Sequence, residues 1–226
     1  MKNLQDLKEL YGKHYVDNFE TNQSAIRLQN LIKYMNLDED DRVADFACGN
    51  GMLMEHTAHK VKSYVGVDFS EPFIDAANRK KERLGMENAE FFCSAIDSFC
   101  QKNQETFDVG FAMDFSEHVY DEQWLEVLRN IRGSLKKHGR LYLHTPNGSF
   151  FLEIMKSHNF VMKQSPEHIA VRTTEQNVRI LEEAGFSVRT LKLIPHYNVL
   201  RFIHPVSHIP LIGKYFEARI FIEATK

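Results

Sequence analysis

The stretch VADFACGNGM, residues 43–52, decides the reading of this chain. An apolar run holds one acid, Asp45, and passes into small residues ending in Gly49-Asn50-Gly51. The run reads as a buried strand, and the loop after it is almost bare of side chains. Glycine lets a backbone turn sharply and approach a ligand closely. The pattern therefore predicts a strand, a ligand-facing loop and the start of a helix. Two glycines alone also fit a plain strand-to-helix turn, so the rest of the chain has to choose.

Outward from that stretch, strand-like and helix-like segments alternate. Strands are expected at 42–47, 63–68, 89–94, 107–113 and 140–145, with helices near 51–60, 71–84, 95–103 and 121–137. Residues 3–37 read as mostly helical. A further helix opens with a Thr173-to-Gln176 capping box and closes at Gly185, and strands at 186–194 and 216–224 finish the chain. Apolar strands separated by helices predict a doubly wound α/β sheet, mostly parallel and covered on both faces. Seven strands are expected, the last one antiparallel. Sheets of this kind bind ligands beyond the carboxyl ends of their strands, where the strand order reverses. The loop after residue 46 belongs at that point.

Asp68 ends the second strand, VGVDFS, about 20 residues past the glycine loop. An acid there can accept both ribose hydroxyls of an adenosine. Ser70 is read as the cap of the following helix, which leaves Asp68 free for the ribose. Dehydrogenases share this pair. A dinucleotide fingerprint, however, wants a small residue where Met54 stands, and a pyrophosphate would be repelled by Asp45. A carboxylate beside this loop suits a cationic ligand such as the ammonium of an amino acid.

With these residues in view, the chain resembles the class I S-adenosylmethionine-dependent methyltransferases over residues 24–190. The resemblance rests on VADFACGNG, VGVDFS, SAID after the third strand and FDVGFAMDFSEHV at the fourth. It implies a Rossmann-like methyltransferase fold, a methyltransferase activity and S-adenosylmethionine as cofactor. Asp45 and the backbone at Ala47 and Gly49, with Gly51 closing the turn, would hold its methionine part. Asp68 would take the ribose, Phe69 would pack on the adenine, and Ala95 with Ile96 would touch the adenine edge. Met113 would lie near the sulfonium. Two positions depart from the family. Ala47 stands where glycine is usual, which predicts an ordinary negative φ there. Ala95 replaces an acid, which leaves the adenine amino group to the backbone or to Asp97.

The segments AMDFSEHV and SAIRL are most similar to the branch that includes the ubiquinone-biosynthesis O-methyltransferases. Arg27 matches that branch's cofactor-binding arginine; the alternative is a solvated helix arginine. Asp114, Glu117 and His118 match its acid-x-x-Glu-His segment. Methyl transfer is an in-line displacement at a sulfonium, so the protein must orient an acceptor and manage its proton. His118 is a candidate base, because imidazole titrates near neutrality. The same cluster could instead hold Mg²⁺ through its carboxylates, or Glu117 and His118 could be structural. The implied reaction is methylation of an oxygen, less readily a nitrogen, of a small, partly apolar acceptor. The competing readings are a binding module without catalysis and a nicotinamide-dependent oxidoreductase.

Composition sets the outer bounds. The chain has 226 residues, 43% hydrophobic and 26% charged, which fits one globular domain. The expected division is an N-terminal helical lid at 1–38, a cofactor core at 39–146, and an acceptor-side lid with the last strands at 147–226. A net charge of -3 gives no basic footprint for nucleic acid. Cys48, Cys93 and Cys100 lack metal spacing and fit reduced thiols, so a cytoplasmic location is expected, with no leader in MKNLQDLKEL. No apolar run is long enough to span a bilayer. His196, His204 and His208 are read as loop residues, since Pro195, Pro205 and Pro210 break any helix that would align them. The lone Trp124 is expected in the core. The apolar segments at 147–155 and 199–216 could close over an acceptor, touch a membrane surface, pair two copies or pack as core. The state is therefore monomer or homodimer.

Overall fold

A computed structural model describes residues 25–158, 160, 168–197 and 199–226. The helical reading of residues 3–24 lies outside the described residues. Seven strands form one sheet. They are β1 (Arg42–Phe46), β2 (Ser63–Asp68), β3 (Ala89–Cys93), β4 (Phe107–Met113), β5 (Leu135–Pro146), β6 (Ser187–Ile194) and β7 (Arg219–Thr225). The order across the sheet is β3-β2-β1-β4-β5-β7-β6. The first five strands are parallel, with Asp45 opposite Gly66 on β2 and Phe111 on β4. Strand β7 runs antiparallel between β5 and β6. The order reverses between β1 and β4, beside the glycine loop.

Seven helices accompany the sheet among the described residues: α1 (Ala25–Ile32), α2 (Met52–Thr57), α3 (Glu71–Leu84), α4 (Ile96–Lys102), α5 (Asp121–Ser134), α6 (Phe151–Ser157) and α7 (Thr174–Glu183). Strand periodicity of two sorts the core onto two faces. Ala44 and Phe46 join Phe99, Trp124, Leu128 and Leu181 on one face. Val43 joins Leu28, Leu31, Met54 and Tyr64 on the other. Trp124 and Met54 are fully buried, so the methionine that disfavoured a dinucleotide site serves as core. The capping box forms: Thr173 Oγ1 accepts from Gln176 N at 3.3 Å, and Gln176 Oε1 accepts from Thr173 N at 2.8 Å. Gly185 follows α7 at φ 90°, where a side chain would be strained.

Several element boundaries differ from the sequence reading. Helix α5 stops at Ser134, and β5 starts at Leu135, because Leu135 pairs with Phe107 before a register shift that restores pairing at Val109 and Arg140. The sequence reading runs the helix to 137, because Lys136–Gly139 carries no strand alternation. Strand β7 starts at Arg219, since Gly213–Phe216 is a short 3₁₀ turn. Strand β1 ends at Phe46, because Ala47 leaves the sheet at φ 61°. The expected negative φ at Ala47 is therefore wrong. The loop takes the left-handed turn of the family's glycine with a methyl group in place.

Candidate active site

A cleft of about 310 Å³ opens at the carboxyl ends of β1, β2 and β4. Its lining brings together Arg27, Asp45, Ala47, Gly49, Asp68, Phe69, Met113, Asp114, Glu117 and His118, all expected from the sequence. It also includes Asn50, Phe73, Phe115, His168 and Arg219, which the sequence reading did not select. Three expected residues are absent from the lining: Gly51, Ala95 and Ile96. Gly51 begins α2 at φ 68°, and a Cβ there would sit 2.8 Å from the Phe91 ring. Its task is close packing. Ala95 caps the start of α4 by position, and Ile96 packs against the core.

On the glycine side, Asp68 is not free. Its Oδ2 accepts from Gly49 N at 3.0 Å and its Oδ1 from Ser70 N at 2.9 Å. Ser70 is the N-cap of α3 by position, its side chain makes no cap bond, and Asp68 instead holds the Ser70 backbone amide. A carboxylate offers about four lone-pair sites, so these bonds do not exhaust its capacity for a ligand. Burial pushes Asp68 up to about 6, against the pull of the Ser70, Gly49 and Phe69 backbone. The carboxylate thus sets the shape of the glycine loop and faces the cleft at once.

Asp45 is 3% exposed and accepts a hydrogen bond from the Tyr64 hydroxyl. Burial, opposed by the Tyr64 bond and assisted by Asp68, pushes it up to about 7. A cation arriving beside it would favour the ionised form. Among the buried polar atoms of the lining that have no hydrogen-bond partner are Asn50 Oδ1 and Arg27 Nε. One accepts and the other donates. That pair, with Asp45, fits a zwitterionic amino-acid group better than a plain phosphate.

The other side of the cleft differs from expectation. Asp114 does not form one cluster with Glu117 and His118. It sits at φ 51°, with Arg27 Nη2 2.7 Å from Oδ2, and His144 Nδ1 2.9 Å and Arg219 Nη1 3.3 Å from Oδ1. Burial would raise its carboxyl, but Arg27, His144 and Arg219 outweigh burial and hold it well below the usual range. An acid so engaged is a structural anion and a poor base. The Tyr197 ring lies 5.6 Å from the Arg27 guanidinium and 5.4 Å from that of Arg219, and its hydroxyl meets His144 Nε2.

Glu117 is 1% exposed and accepts from Thr145 Oγ1 at 3.1 Å. Burial first, then the Asp114 charge, push it up to about 8. The His118 ring meets the His168 ring edge-on at 5.2 Å. Ligand atoms of Glu117, His118 and His168 all lie within 4.8 Å of one another. Two imidazoles and a carboxylate suit a transition ion such as Zn²⁺ or Mn²⁺ better than Mg²⁺, which prefers oxygen. His168 entered no sequence argument, because only the turn Ser116–His118 and the backbone bonds from Ile169 and Ala170 to the Glu117 carbonyl bring it close. The free cysteines make no disulfide. His196 stacks on Phe150 at 6.2 Å, apart from the His204–His208 pair.

A doubly wound sheet with an acid closing its second strand and a cleft at the strand reversal defines a Rossmann-like α/β fold, with the cleft where such sheets bind ligands. Residues 43–139 match the methyltransferase domain family. Among curated relatives, the ubiquinone biosynthesis O-methyltransferase of Coxiella burnetii (strain Dugway 5J108-111) is 31% identical over 127 residues, 56% of this chain and 52% of that one. The chain thus spans about half the length of that relative. The enzyme of the same name from Aliivibrio fischeri (strain MJ11) is 24% identical over 208 residues, 89% of this chain and 85% of that one. Among solved structures, magnesium protoporphyrin IX methyltransferase from Synechocystis PCC 6803, with bound SAH, superposes with a TM-score of 0.63 at 19% identity, covering 100% of this chain and 89% of that one. Residues 43–139 are thus similar to the methyltransferase domain family, and the chain shares the fold of that solved methyltransferase.

Proposed function

We propose that this protein transfers a methyl group from S-adenosylmethionine to an oxygen of a small, partly apolar acceptor. The carrying observation is one cleft with two chemically distinct sides. Asp45, Gly49, Asn50 and Asp68 line one side, and Glu117, His118 and His168 line the other. On this reading the Ala47 and Gly49 backbone, Asp45 and Arg27 bind the methionine part, and Asp68 takes the ribose. Phe69 and Phe73 supply apolar surface for the adenine. Met113 borders the sulfonium. The cofactor supplies the electrophile, and the chain orients the acceptor and accepts its proton. His118 is the base of choice, since Asp114 is held by arginines. Both of these curated relatives are named O-methyltransferases, which favours oxygen over nitrogen. The whole described sheet acts as one domain on this reading. Residues 39–146 are its cofactor core.

Titration calorimetry with S-adenosylmethionine, S-adenosylhomocysteine and NAD tests the cofactor. The first two should bind and NAD should not. Asp68→Ala should weaken the adenosyl ligands by about 1 to 3 kcal/mol, the scale of a lost charge-assisted hydrogen bond. Undiminished affinity in a folded variant removes Asp68 from the ribose. Release of S-adenosylhomocysteine against a panel of catechols, phenols and amines then tests the reaction. Binding without turnover on the whole panel would support a module that holds the cofactor without transferring it.

A further inference from the structure

The chain between β6 and β7 is unlike the rest of the surface. From Glu183 to Glu217 no Asp or Glu intervenes, while Arg189, Lys192, Arg201 and Lys214 do. The whole protein, by contrast, carries a net charge of -3. The segment holds two 3₁₀ turns, Val199–His208 and Gly213–Phe216, which pack on each other. The first has no buried residue. Large apolar side chains there face solvent: Val199 is 72% exposed, Phe202 71% and Leu211 93%, with Ile209, Ile212 and Tyr215 exposed as well. Single exposed apolar residues are ordinary, but a concentration of them in one segment marks an interaction surface. The reading of this segment as packed core therefore fails.

We infer that residues 199–216 dock on an anionic lipid surface. Apolar side chains set among basic heads, with no acid between, match a bilayer interface whose headgroups are negative. The basic groups are arranged for that use. The Arg201 guanidinium lies 5.0 Å from the Phe202 ring, and the Lys214 ammonium 5.1 Å from the Tyr215 ring. Each pair presents an apolar body with a cationic tip beside it, the combination that settles at the headgroup boundary. No helix of the described residues is long and apolar enough to cross a membrane, so the contact lies on the surface. The negative remainder of the protein is repelled by the same lipid, which orients the chain.

The docked face adjoins the cleft. Tyr197, just before the first turn, carries Arg27 and Arg219 over its ring, and both arginines line the cleft. Phe216, which ends the second turn, lies 5.7 Å from the Phe151 ring of α6. A molecule held in the lipid would therefore reach the cleft beside the attached edge. The inference itself does not depend on the methyl-transfer reading.

Co-sedimentation of the full chain with vesicles is the test. Binding to phosphatidylcholine vesicles containing phosphatidylglycerol should be clear, and binding to pure phosphatidylcholine weak. Raising salt from about 0.05 M to 0.5 M should release most of the bound protein, because surface charges are then screened. Phe202→Asp with Leu211→Asp, and separately Arg201→Glu with Lys214→Glu, should each lower partitioning by about tenfold or more. Both pairs lie on exposed side chains, so the thermal midpoint should stay within about 2 °C of the parent. The inference is overturned if the parent ignores anionic vesicles, or if both double variants bind as the parent does. It is equally overturned if the parent is a dimer that Leu211→Asp splits while vesicle binding is absent. That result would assign the face to a second copy.

Discussion

Arg27 Nη2 lies 2.7 Å from Asp114 Oδ2, and this pair fixes what each residue can do. The arginine reaches the cleft already neutralised, and the acid cannot serve as a base. Each side chain is 18% exposed, so water screens the pair only in part. Asp114 also faces His144 and Arg219, which makes it the shared anion of a buried group. Asp114→Ala leaves two arginines uncompensated and should cost about 3 to 5 kcal/mol of stability. Urea unfolding measures this directly. A loss below about 1 kcal/mol would mean that the arginines find water or other partners.

Ala47 pays for its left-handed turn at φ 61°. Glycine adopts that conformation without a Cβ penalty. Ala47→Gly should therefore stabilise the protein by about 1 kcal/mol, or raise its melting temperature by about 2 to 4 °C. Ala47→Val should lower it, because a β-branched residue tolerates positive φ worst. A glycine variant that melts below the parent would show that the methyl group makes contacts worth more than the strain.

Asp45 gives stability a predictable slope. Its folded value, about 7, is above the ordinary carboxyl value of 3.8. Between those values the folded state holds a proton that the unfolded state has lost. Stability contributed by this group is thus full below about pH 4 and falls as pH rises to about 7. Asp45→Asn should flatten that part of the curve in chemical unfolding between pH 4 and 8. An unchanged slope would place Asp45 in its ionised form throughout. Saturating S-adenosylmethionine should reduce the slope as well, if its ammonium meets this carboxylate.

Glu117, His118 and His168 separate base chemistry from metal chemistry. If His118 alone takes the acceptor's proton, His118→Ala should slow turnover about 10² to 10⁴-fold while leaving cofactor affinity unchanged. A chelator should then have no effect. If the three hold a metal ion, chelation should abolish activity, and Zn²⁺ or Mn²⁺ should restore it better than Mg²⁺. His168→Ala should then hurt as much as His118→Ala. Protons compete with the metal for Glu117, whose value is pushed up to about 8. Metal affinity should accordingly rise with pH up to about that value. Full activity of all variants in chelator would leave catalysis to proximity and orientation.

Much of the fold was legible because it rests on local rules. Apolar runs of strand length, a capping box at Thr173 and Gln176, and the glycine at 185 each act within a few residues. The same holds for Asp45, Gly49 and Asp68, whose spacing around one loop is set by β1 and β2 as neighbours. The end of α5 was misread because the chain from Lys136 to Gly139 lacks alternation, and only the pairing of Leu135 with Phe107 draws it into the sheet.

The sequence by itself determined the α/β class, the glycine loop and about half of the residues along the cleft, since these follow from periodicity, short spacings and motif resemblance. Only the tertiary structure decided the partners of the charged groups. His144 reaches Asp114 because β5 pairs with β4, setting His144 opposite Met113, and Arg219 reaches it because β7 inserts antiparallel beside β5, setting Arg219 opposite Pro146. His168 meets His118 through a turn that no spacing announces. Asp68 is bound to Gly49 and Ser70, and Ala47 accepts a strained φ, because the loop must close over its own backbone amides. A linear pattern states which side chains a strand offers to a site. The charge each finally carries depends on burial and on neighbours far along the chain, and those exist only once the sheet has formed.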